Sequence, residues 1–114
     1  MNLLYVTIIV FAVAALFGLT MLIKWVGKKD VSRTVVYGHG IFAALGLALL
    51  IIFTLQNIEK DPTVSLILFV VAALGGFYMF LRELQTKLRP IGVAFAHALL
   101  AVAGFVALLF YAFA

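Results

Sequence analysis

The chain has 114 residues, a formal net charge of +4 and no cysteine, and 68% of it is hydrophobic against 11% charged. Such a balance leaves almost nothing for a soluble domain. The missing thiols exclude disulfides, iron–sulfur clusters, zinc–thiolate sites and covalently attached c-type haem.

Four stretches carry no Asp, Glu, Lys or Arg: residues 1–23, 34–58, 62–81 and 90–114. Each reaches the roughly 20 residues that a membrane-crossing helix needs. The expected fold is therefore all-α, an integral membrane four-helix bundle forming one transmembrane domain over residues 1–114. In the first stretch the first cation, Lys24, follows the apolar run. A cleavable signal carries its charge before that run, so the span reads as a retained anchor.

The first loop holds Lys24, Lys28, Lys29, Asp30 and Arg33. The second holds Glu59, Lys60 and Asp61, and the third holds Arg82, Glu83, Lys87 and Arg89. Seven of the eight cations thus fall in loops one and three. The positive-inside rule puts these loops in the cytoplasm and both termini outside. The expected location is the cytoplasmic membrane of a bacterium or archaeon. Charges confined to helix ends give no nucleic-acid surface. Asp61 is placed to cap the third helix with Pro62 at its first position, and Pro90 to open the fourth.

Shifted by 58 residues, the chain matches itself without a gap. VTIIVFAVAALFGLTM (6–21) falls on VSLILFVVAALGGFYM (64–79), and YGHGIFAALGLALL (37–50) on FAHALLAVAGFVAL (95–108), with 15 identities in 51 pairs. The identities Val35/Val93, His39/His97, Ala43/Ala101, Gly46/Gly104 and Leu50/Leu108 lie on one face of a 3.6-residue helix. That face carries both histidines of the protein. Two tandemly duplicated hairpins, 1–56 and 62–114, are expected to run parallel about a pseudo-twofold axis along the membrane normal. In an up-down bundle the second and fourth helices are diagonal partners, so the imidazoles would face each other across the centre.

His39 lies six residues past Arg33, about 9 Å at the helical rise, and His97 eight past Arg89, about 12 Å. Counting six back from Lys24 reaches Gly18, and from Arg82 reaches Gly76. One level thus holds two imidazoles on one diagonal and two glycines on the other. Two axial imidazoles and a flat cleared slot are what a non-covalent b-type haem takes. Gly18 and Gly76 would clear the slot. Ala43, Ala101, Gly46 and Gly104 would keep the stripe beside it narrow. Lys24, Arg33, Arg82 and Arg89 are placed to neutralise propionates.

GHGIFAALG (38–46) and AHALLAVAG (96–104) resemble the transmembrane histidine helices of the cytochrome b561 proteins and of haem-bearing succinate dehydrogenase anchors. The resemblance implies electron transfer, with quinone or a larger redox complex as partner. It covers those two helices only. The cytochrome b561 proteins have six helices and four ligands, whereas this chain has four and two, which implies a single haem.

Two other readings stand beside haem. A membrane histidine can simply bond a neighbouring helix while small residues mediate packing, which makes the chain a cofactor-free accessory subunit. The pair could instead serve a small ion or metal transporter, although two imidazoles fall short of the four ligands zinc takes. With no carboxylate inside any span, a proton-coupled small multidrug exporter is unsupported. Nor is there a nucleophile–base pair, a carboxylate pair or a phosphate loop. Thr7, Thr20, Thr54 and Ser65 are expected to bond back to their own helices.

Overall fold

The computed structural model describes residues 2–86 and 90–114. Four helices follow in order: α1 (Leu3–Val26), α2 (Arg33–Gln56), α3 (Thr63–Thr86) and α4 (Ile91–Phe113). Each has 23 or 24 residues, about 36 Å at the helical rise. All four are long and apolar enough to cross a membrane. α1 and α3 run a turn past their charge-free stretches and take in Lys24, Arg82 and Glu83.

The ends are closed locally. Asn2 accepts from the Tyr5 amide, and Ser32 from the Val35 amide. Each proline lies one residue before its helix rather than in the first turn. The carbonyls of Pro62 and Pro90 accept from Leu66 and Ala94 at 2.9 Å. The Asp61 carboxylate accepts from the Thr63 hydroxyl.

α1 packs along α2, and α3 along α4, far more extensively than α1 meets α4 or α2 meets α3. The cyclic order is therefore α1, α2, α3, α4, with α1/α3 and α2/α4 as diagonals. The molecule measures 44 × 23 × 22 Å.

A core cluster fills the half of the bundle that holds the termini: Leu4, Phe11, Leu50, Phe69 and Leu108. Leu50 and Leu108, 58 residues apart, are fully buried. Phe11 and Phe69, also 58 apart, meet across the α1/α3 diagonal as parallel rings with centroids 3.9 Å apart and planes within 2°. Gly46 and Gly104 give the rings their room. A β-carbon at Gly46 would stand 2.9 Å from the Phe11 ring, and one at Gly104 would stand 3.3 Å from the Phe69 ring.

The outer surface is as apolar as the core. Leu16, Ile41, Leu74 and Leu99 are each about two-thirds exposed or more. A helix that is hydrophobic all round is normally covered by protein or by lipid.

Candidate functional site

The second half of the bundle differs from the first. Where the core cluster fills its half with Leu and Phe, the inward stripes here carry Ala14 and Gly18 on α1, His39 and Ala43 on α2, Ala72 and Gly76 on α3, and His97 and Ala101 on α4. Ala14 and Ala72 are 4% and 3% exposed. Both histidines lie in this interior, and toward its open end Arg82 Nε and Glu83 Oε2 are buried as well. Phe11 lies seven residues from Gly18, so the stacked phenylalanines close the bundle about 10 Å from the histidine level.

Both imidazoles are held alike. Nδ1 of His39 lies 2.8 Å from the Ala14 carbonyl, and Nδ1 of His97 lies 2.6 Å from the Ala72 carbonyl. The two bonds are equivalent at the 58-residue offset, since both donors and both acceptors differ by that number. A carbonyl only accepts, so each Nδ1 donates, and in the neutral imidazole Nε2 then carries the lone pair. Among the described residues neither Nε2 has a hydrogen-bond partner. The ring centroids stand 6.1 Å apart across the α2/α4 diagonal, with planes at 81°. In their neutral form the two imidazoles offer two Nε2 lone pairs. They can ligate a metal ion, or accept hydrogen bonds or a proton.

Gly18 and Gly76 lie at this level, each against an imidazole. A β-carbon at either would stand 2.9 Å from Cε1 of His39 or of His97. The glycines therefore seat the imidazole of the neighbouring helix in the same hairpin. A count along the chain gives depth but not the rotation of a helix about its axis, so it could not show which ring each glycine meets. Gly46 and Gly104 are likewise seats for the phenylalanines. Ala43 and Ala101, half-buried, follow the histidines by one turn on the same face. Gly38 packs against Phe17, while Gly40 faces open space.

Of the basic residues, Lys24 closes the last turn of α1, Arg33 opens α2 and Arg82 lies in the last turns of α3. Arg89 falls outside the described residues. Tyr78 is 47% exposed and faces outward rather than toward the histidines. No group of three or more His, Cys, Asp or Glu that could hold a metal ion occurs among the described residues.

Counting residues missed the carbonyl partners. A usable signal existed, since Ala14 and Ala72 belong to the identical pairs of the repeat, but many alanines do. Comparison of the chain with protein-family models, curated proteins and solved structures gave no match.

Proposed function

We propose that the chain is a membrane-embedded b-type haem protein, in which His39 and His97 would hold the haem, acting in electron transfer alone or as a subunit of a redox complex. The observation that carries this reading is the paired fixing of the imidazoles. Ligating histidines typically donate their second ring nitrogen to a carbonyl or carboxylate, which sets the tautomer and raises basicity. Ala14 and Ala72 supply such carbonyls.

When bound, haem supplies a one-electron couple tuned by its axial ligands and surroundings. The chain's own part is to orient each imidazole through its Nδ1 bond, to exclude water with apolar helices, and to offer positive charge at the helix ends through Lys24, Arg33 and Arg82. The bundle inserts in the bilayer as two duplicated hairpins about a pseudo-twofold axis, with loops one and three cytoplasmic and both termini outside. A bacterial or archaeal cytoplasmic membrane accommodates that orientation, and quinone or a neighbouring redox subunit is the expected electron partner. The Phe11–Phe69 stack fills the α1/α3 diagonal on the far side of the site, which weighs against a transport path along the bundle axis.

One observation favours a second reading. Each histidine bond crosses from one helix of a hairpin to the other, so the imidazoles also work as interhelical pins in a cofactor-free packing subunit. A visible spectrum of the purified protein, with and without dithionite, separates the two. A reduced alpha band that is lost in His39→Ala and in His97→Ala is the expected result. A colourless protein after expression with haem supplied overturns the proposal and leaves the pins.

A further inference from the structure

The end of α1 closes in an unusual way. The Lys29 amide donates to the Lys24 carbonyl at 2.8 Å, and the Lys28 amide to the Trp25 carbonyl at 3.1 Å. This is a Schellman closure, whose left-handed position normally falls to glycine. Glycine is present, but one residue early. Gly27 has φ −80°, while Lys28 takes φ 57°. A residue with a β-carbon is strained there, and such strain is a starting point for a functional hypothesis.

Lys28 lines a crevice with Trp25, Val26, Ile91 and Phe95, where the end of α1 meets the start of α4. The walls are apolar and Lys28 supplies a cation at the rim. Lys24, Lys28, Lys29 and Arg33 lie within ten residues that contain one acid, Asp30. Apolar walls below a cationic rim complement a molecule with a hydrocarbon tail and an anionic head.

We infer that the α1/α4 crevice is a binding site for an acidic phospholipid, whose phosphate meets Lys28 and whose acyl chain lies on Val26, Ile91 and Phe95. Basic side chains beside a membrane helix attract acidic headgroups, and an indole settles at the same depth. The inference rests on insertion of the four helices in a bilayer and is independent of haem, so the visible spectrum and the test below fail separately.

Trp25 is the single tryptophan of the chain and lines the crevice, so its fluorescence reports what fills the site. The full-length protein is reconstituted in phosphatidylcholine vesicles containing phosphatidylglycerol, with bromine on the acyl chains of one lipid or the other at equal mole fraction. Brominated phosphatidylglycerol should quench Trp25 more deeply. Lys28→Gln, and Lys28→Gly, which removes the charge and relieves the left-handed strain, should cut the preference about fivefold. Lys28→Arg should retain it. Equal quenching by the two lipids, or a preference unchanged in Lys28→Gly, overturns the inference. Absence of quenching by either lipid overturns it together with the insertion on which it rests.

Discussion

A methyl group added at Gly18 would stand 2.9 Å from Cε1 of His39, a distance that real β-carbons essentially never show. The neighbour is a ring pinned by its own hydrogen bond to Ala14, so it cannot swing away without breaking that bond. Overpacking of a filled interior costs about 1–3 kcal/mol. Gly18→Ala and Gly76→Ala should therefore lower the thermal midpoint in detergent and displace the imidazoles together. Gly40→Ala adds its methyl to open space and should leave the midpoint unchanged or raise it, because alanine is the better helix former. Equal midpoints for Gly18→Ala and Gly40→Ala would show that the seat is not occupied by the imidazole. At this scale the chain was half legible. The helical spacing of the repeat put both histidines on one face, but nothing in it told which ring each glycine accommodates, because that depends on how neighbouring helices are rotated.

Helix packing brings aromatic rings and hydroxyls into play as pairs. The near-sandwich of Phe11 on Phe69 is closer than the 4.5–7 Å offset or edge-on arrangements that aromatic pairs prefer. The seats at Gly46 and Gly104 impose it, not the mutual attraction of the rings. The coupling energy of the double-mutant cycle Phe11→Ala with Phe69→Ala should then sit at the low end of the usual range, about 0.5 kcal/mol. Each single substitution should still cost a few kcal/mol by the cavity it leaves. Gly46→Ala, whose methyl would meet Phe11 at 2.9 Å, should destabilise more than Gly104→Ala, at 3.3 Å. The hydroxyls divide in a similar manner. Thr7, Thr20 and Thr54 bond back to Leu3, Leu16 and Leu50 within their own helices. Ser65 departs from that expectation and donates to the Gly104 carbonyl of α4 at 2.8 Å. With no β-carbon on Gly104, α3 comes close enough for this bond, a reason invisible in the local sequence of Ser65. Its removal in Ser65→Ala should cost about 0.6 kcal/mol, the average for hydrogen bonds between membrane helices. Thr20→Ala, at an exposed hydroxyl that breaks no link between helices, should cost less in the same unfolding assay.

The whole chain joins a closed half to a half of small residues around two imidazoles, and in the proposed orientation its charge sets which half faces which side. Element number and order were legible because four charge-free stretches separated by short charged loops allow little else. The ends shifted by up to five residues, since α3 continues through Arg82 and Glu83 before it stops, as a long basic side chain can reach past the apolar layer. The proposed orientation rests on the same charges. With four cations between Lys24 and Arg33 and one in the loop after α2, the cost of moving the first loop across the membrane far exceeds that of the second. The native chain has no cysteine, so single-cysteine variants label against no background. In intact cells a membrane-impermeant maleimide should react with cysteine at Asn2 and at Glu59, both exposed. It should leave cysteine at Lys29 unlabelled until the membrane is opened. Labelling of Lys29→Cys before that point would invert the bundle and put the histidine half, and any haem between His39 and His97, on the outer side. Simultaneous labelling of all three positions in intact cells would be incompatible with four membrane crossings.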